Sequence, residues 1–272
     1  MEYTVKGCKT ALSRSKLPGL DYALNPYFGC EHGCVYCYSP AVLGLVRTRR
    51  RWGSFVEAKV NIPEVLAKEA RRKPKGIVGV STVTDPYQPW EEQLKLTRRC
   101  LMVLKETGFK ASIQTKSDLI IRDLDVIVDG GFDVCITITT LNEELAQILE
   151  PRAPPPDRRV KALRRLISHE VESWIFLGPI IPGVNDDKEN IRRIIEVAHE
   201  VGSKLYYDKL NLREGVSERL TPLLRSLNLK ADREWLLKRA NPSSTYWIKL
   251  SRLIGEEARS FKVHAEPAFR YG

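Results

Sequence analysis

A chain of 272 residues with 43% hydrophobic content can bury one large core, and a single α/β barrel commonly needs about 250 residues. Lys and Arg outnumber Asp and Glu by 44 to 34, a net charge of +10 that admits an anionic partner, although basic runs are as readily solvated helix faces. No apolar run approaches the roughly 18 residues of a membrane span, and the N-terminus lacks the apolar segment of a signal peptide, so no membrane role and a cytoplasmic setting are expected.

Residues 1–20 read as an N-terminal extension without a clear pattern. "YALNPYF" (22–28) reads as an opening strand, and the loop after it carries Cys30, Cys34 and Cys37 within eight positions. "NIPEVLAKEARR" (61–72) predicts a helix, with Asn61 as its cap, Pro63 in the first turn and Ile62, Val65, Leu66 and Ala70 on one face. "GIVGVST" (76–82) is an apolar strand, followed by a helix through Leu94, Thr97, Leu101 and Leu104 that stops at Gly108. "FKASIQTK" (109–116) and "RDLDVIVDGG" make the next strand and helix, then "FDVCITITT" (132–140) and "LNEELAQILE". "PRAPPPDRR" (151–159) reads as a stiff proline loop. "VESWIFLGPII" (171–181) leads into a helix through Ile191, Ile194, Ile195 and Ala198, and "KLYYDKLNL" (204–212) is the sixth strand. "REWLLKRA" and "TYWIKLSRLIGEEARSF" read as closing helices.

Six βα units predict an α/β fold, a partial (βα)6 TIM-type barrel with C-terminal helices. The expected layout is a 1–20 extension, a 21–215 core and a 216–272 helical part packed on the core. In such a barrel the functional rim lies at the C-terminal ends of the strands, and alternate side chains face inward. Thr84 and Asp85 follow the second strand, Lys116 ends the third and Thr139 lies near the end of the fourth. Ser112, Gln114 and Lys116 share one strand face, which points Lys116 into the lumen; Cys135, Thr137 and Thr139 share another.

Six cysteines are too few for a disulfide scaffold in a chain of this length, which favours metal or thiol chemistry. Four thiolates would saturate a four-iron cluster, whereas three leave one iron open to a further ligand. A zinc site with His32 as fourth ligand uses the same loop and would suit a zinc-stabilised nucleic-acid-binding module without catalytic activity.

The spacing CxxxCxxC, with Tyr36 before the third cysteine and a βα series after it, resembles the radical SAM (S-adenosylmethionine) enzymes. "STVTDPYQPWE" (81–91), "QTKSDLIIRDLD" (114–125), "TITT" (137–140), "LEPRAPPPDRR" (149–159) and "GPIIPGVND" (178–186) are similar to the spore photoproduct lyase-related branch. The resemblance runs from about Tyr22 to Asn211. It implies a 4Fe-4S cluster on Cys30, Cys34 and Cys37, with its open iron chelating S-adenosylmethionine. It further implies a one-electron reductant of flavodoxin or ferredoxin type, and reductive cleavage to a 5′-deoxyadenosyl radical that abstracts hydrogen from substrate, in a lyase or transferase reaction.

By that resemblance Tyr36 lies near the adenine, and Gly178, Ile181 and Gly183 form the stretch that contacts it. A Pro-Gly loop leading into a helix is the ordinary alternative for that stretch. Asp85 is placed to accept from the cofactor ammonium, beside Thr84, or else caps a turn before Pro86; Thr139 is counted with them. Lys116 is a candidate for the cofactor carboxylate and for catalysis, or for a structural ion pair. The photoproduct lyases carry a hydrogen-donating cysteine after the second strand, where "VSTVTD" has none. Cys135 is either a substitute donor or a small buried hydrophobe. Arg47, Arg49, Arg50 and Arg51 beside Trp52 suit a phosphate backbone with an unstacked base, which makes nucleic acid a candidate substrate.

Overall fold

The computed structural model describes residues 1–229 and 232–268. The chain opens with strands β1 (Glu2–Lys6), β2 (Leu12–Arg14), β3 (Tyr22–Leu24) and β4 (Tyr27–Gly29), helix α1 (Ser39–Val42), β5 (Phe55–Lys59) and α2 (Ile62–Ala70). There follow β6 (Ile77–Val80), α3 (Glu91–Leu94), α4 (Leu96–Glu106), β7 (Lys110–Thr115), a 3-10 turn (Asp118–Asp123), α5 (Leu124–Gly130) and β8 (Asp133–Thr137). The rest comprises α6 (Glu143–Leu149), α7 (Pro156–Ser168), β9 (Ser173–Ile180), α8 (Lys188–Val201), β10 (Lys204–Lys209), α9 (Val216–Ser226), α10 (Arg233–Ala240), α11 (Thr245–Ser260) and β11 (Ala265–Pro267). Two compact units result: Met1–Gly33 with Arg50–Ile136 and Lys161–Ser173, and Cys34–Arg49 with Thr137–Val160 and Trp174–Gly272.

In the first unit β3, β6, β7 and β8 pair in parallel, with Leu24 opposite Val80, Val80 opposite Ile113 and Ile113 opposite Val134. Parallel neighbours need long crossovers, and α2, α4 and α5 lie within them. α4 packs on α2, α5 and β7, burying Cys100, Leu101 and Leu104. Burial of each of the two leucines contributes about 1.5–3 kcal/mol. "YALNPYF" forms two strands rather than one, because Pro26 has no N–H to continue the ladder. β3 stays with β6, while β4 pairs antiparallel with β5, whose other edge holds β1 in parallel.

The second unit contains β9, β10 and β11 in parallel, with Ile175 opposite Leu205 and Leu205 opposite Ala265. Asp187 caps α8 by accepting from the Asn190 N–H at 2.9 Å, and the buried row Ile191, Ile194, Ile195 and Ala198 faces the core. α8 packs on α11, which buries Trp247, Leu250 and Ile254. The expected strands are thus β3, β6, β7, β8, β9 and β10.

Several elements go beyond the sequence expectations, β1, β2, α1 and β5 among them. α7 starts inside the proline stretch, since a first-turn proline loses no helical hydrogen bond and its fixed φ suits the helix. α9 tolerates Pro222 because Val216, Leu220, Leu223 and Leu224 are buried along one side. β11 is three residues long with a proline, so only its partner β10 defines it. No described helix is long and apolar enough to cross a membrane.

Candidate functional site

The cysteine loop begins at Gly29, whose φ of +90° and approach to the Phe55 carbonyl (2.5 Å from an added Cβ) require glycine. Cys30 and Cys34 are buried, Cys37 is partly exposed, and none of the three is in a disulfide. The first arm of the loop is held by the segment after β6, within one unit. Thr84 Oγ1 donates to the Gly29 carbonyl at 2.6 Å, and Gln88 Nε2 donates to Thr84 Oγ1 at 3.2 Å. The Glu31 N–H donates to Gln88 Oε1 at 2.9 Å, while Glu31 accepts from the Trp90 N–H at 2.7 Å and from the Tyr3 hydroxyl at 2.6 Å.

Asp85 joins the same scaffold. It accepts from the Tyr87 N–H (2.9 Å), Thr115 Oγ1 (2.6 Å) and the Lys116 N–H (2.9 Å), and His32 Nδ1 lies 3.3 Å from it. Burial pushes its carboxyl up, but His32 and these donors outweigh burial and hold it well below the usual carboxylate range. Asp85 therefore caps the turn and fastens the end of β7 to the loop. The zinc alternative needs His32 as a ligand, but the structure buries that ring against Asp85.

The second arm belongs to the other unit. The Val35 N–H donates to the Leu149 carbonyl at 2.9 Å and the Cys37 N–H to the Cys34 carbonyl at 3.2 Å. The Tyr36 hydroxyl donates to Glu150 Oε1, which also accepts from Thr139 Oγ1 at 3.0 Å. Burial first, then Cys34 and Glu150, push the Tyr36 hydroxyl far above its ordinary value, so it remains a donor. Arg159 pairs with Glu150 at 2.5 Å and donates to the carbonyls of Pro154 (2.8 Å) and Thr137 (3.2 Å). Both members of this pair are 1% exposed. Tyr36 and Cys34 sit in an apolar cluster with Leu149, Ile181, Val184, Leu210 and Leu220.

In "GPIIPGVND" the loop closes on itself. Asn185 Nδ2 donates to the carbonyls of Thr139 (2.9 Å) and Pro179 (3.1 Å), and Asn185 Oδ1 accepts from the Ile181 N–H at 2.7 Å. The space a side chain would take at Gly178 is filled by the Phe176 ring, 2.3 Å from an added Cβ, and at Gly183 by Leu229, 2.9 Å away. Lys116 is half-buried after β7, and Cys135 is buried in β8 opposite Gln114.

Three unbridged thiols on one loop, on a backbone anchored at Gly29, Val35 and Cys37, are a donor set that fits an iron-sulfur cluster. Among the described residues no three His, Cys, Asp or Glu side chains are already gathered around a metal position. Sequence reasoning left Glu31, His32, Gln88, Glu150, Arg159 and Asn185 without scaffold roles, although several lie within the motif stretches.

Comparison with known proteins shows the family and the fold. Uncharacterised proteins of Methanocaldococcus jannaschii and of Acidianus two-tailed virus are 32% and 30% identical over 206 and 227 residues, covering 75% and 78% of this chain and 76% and 74% of theirs. A spore photoproduct lyase variant with bound AdoMet and dinucleoside spore photoproduct superposes with a TM-score of 0.71 at 14% identity, over 99% of this chain and 82% of that one. A radical SAM methyltransferase from Sphaerobacter thermophilus gives 0.58 at 16% identity, over 92% and 66%. These structures share the α/β fold with its mostly parallel sheet. The model of the Radical SAM superfamily matches residues 24–198, a span that holds the three cysteines and both scaffolds around them, and this chain belongs to that superfamily.

Proposed function

We infer that the chain is a radical SAM enzyme that binds its cluster through Cys30, Cys34 and Cys37. The family's cofactors are a 4Fe-4S cluster and S-adenosylmethionine, and when bound they supply a 5′-deoxyadenosyl radical for hydrogen abstraction. The observation that carries the assignment is the cysteine loop held by two motif-built scaffolds, Thr84-Asp85-Gln88 and Glu150-Arg159. The chain's residues orient the loop: Thr84 and Gln88 hold its first arm, while Glu150 holds the Tyr36 ring beside Cys34. Ile181 packs in the same cluster as Cys34 and Tyr36, and Thr139 donates to the Glu150 carboxylate that holds Tyr36; with Gly183 they are the candidates for cofactor contact, and Lys116 for a carboxylate.

Nucleic acid is the proposed substrate class. The net charge of +10 supports it, as do the exposure of Arg49 and Arg51 just after the cluster loop and a fold neighbour, a spore photoproduct lyase, with bound dinucleoside spore photoproduct. Arg50 does not contribute, because it pairs with Glu57 and stacks 3.6 Å over the Phe55 ring. A flavodoxin or ferredoxin would deliver the electron.

Anoxic reconstitution tests the assignment. With dithionite the protein should form 5′-deoxyadenosine and methionine, and Cys34→Ala should abolish both; undiminished product from the variant removes the assignment. S-adenosylhomocysteine appearing with substrate would identify a transferase over a lyase.

A further inference from the structure

Arg219, on the first turn of α9, reaches the cysteine loop. Its Nε donates to the Val35 carbonyl at 3.2 Å and its Nη2 donates to the carbonyl of Cys37. The two carbonyls flank Tyr36, and one belongs to a cysteine assigned to iron. Room for the guanidinium comes from Gly215, where an added Cβ would lie 3.1 Å from Arg219 Nη1. The side chain is half-buried, so solvent screens its charge incompletely.

We propose that Arg219 is a positioning residue that clamps the Val35 and Cys37 carbonyls and raises the reduction potential of the cluster. The proposal rests on the assignment of Cys30, Cys34 and Cys37 as ligands. Reduction adds negative charge to the cluster, and cluster potentials respond to nearby charge and hydrogen bonding. A fixed cation one residue's carbonyl away from an iron ligand stabilises the reduced state. Arginine suits the task because its planar fork can bond two acceptors at once and stays charged, whereas lysine keeps the charge as a point on a flexible stem.

Wild type, Arg219→Gln and Arg219→Lys are reconstituted anoxically and compared by iron and sulfide content, by redox titration followed through the electron paramagnetic resonance of the reduced cluster, and by the rate of iron loss to a chelator. In Arg219→Gln the ratio of reduced to oxidised cluster at a fixed poise should fall about tenfold, equivalent to 59 mV for one electron. Arg219→Lys should keep that ratio within about twofold yet lose iron faster, since the two-carbonyl bridge is gone. An unchanged midpoint in Arg219→Gln at wild-type iron content overturns the proposal. Should Arg219→Gln hold no cluster, a wild-type iron-loss rate in Arg219→Lys overturns it instead. Wild type that takes up no iron refutes the ligand assignment, a different failure.

Discussion

Asp85 has two candidate roles that look alike in sequence, a turn cap and a contact for the cofactor ammonium. Its oxygens already accept from Tyr87, Thr115 and Lys116. Asp85→Ala should therefore cost about 1–3 kcal/mol by leaving buried donors unpaired, seen in urea unfolding of the apoprotein, and should lower iron content after reconstitution. Unchanged unfolding with weakened cofactor binding alone would return Asp85 to direct contact with the cofactor ammonium. Asp133 carries a pH prediction. Burial and the neighbouring Glu172 push its carboxyl up to about 6 from 3.8, against a bond from Ser112. The folded chain thus holds the proton more tightly than the unfolded one, so the stabilisation is full below about pH 4 and is lost as pH rises through about 6. Asp133→Asn should raise the melting temperature at pH 8, by about 1–3 kcal/mol in stability, and give little gain at pH 4. Equal gains at both pH values would refute the buried-charge explanation.

At the scale of elements, a buried ionic network ties α3 and α4 to the 3-10 turn before α5. Glu91 accepts from the Tyr27 hydroxyl, the Thr97 N–H (3.0 Å) and Arg122 Nη2 (2.7 Å), while Asp123 accepts from Arg122 Nε (2.7 Å) and Arg98 Nη1 (3.2 Å). Glu91 and Asp123 are both fully buried. Arg122→Ala would leave Glu91 without its cation and Asp123 with Arg98 alone, so a loss of about 3–5 kcal/mol is expected in denaturant unfolding. Arg122→Lys should recover only part of it, because a single ammonium cannot serve both carboxylates as the guanidinium fork does. Recovery to wild type would show that charge alone suffices.

For the whole molecule the charge excess makes its own prediction. RNA or DNA binding should weaken steeply with salt as neutralised phosphates release counterions, and Arg49→Gln with Arg51→Gln should lower the logarithmic slope by about 1 to 2. Iron content should not change. If nucleic acid neither binds at low salt nor stimulates cofactor cleavage, the substrate is a protein side chain or small metabolite.

The sequence by itself determined the six core strands, the helices that follow most of them, and the family. Alternation, caps and the CxxxCxxC spacing are local patterns, each written within a few residues. It also located the stretches that matter, although "PRAPPPDRR", read as a loop, supplies the start of a helix and Arg159. The glycines of "GPIIPGVND" lie against Phe176 and Leu229. Only the tertiary structure decided the partners. Tyr36 meets Glu150 across 114 positions and Cys37 meets Arg219 across 182, separations that no periodicity encodes. Such pairs arise because a buried carboxylate, hydroxyl or carbonyl must find a partner once water is removed, and which partner is near depends on how distant segments pack.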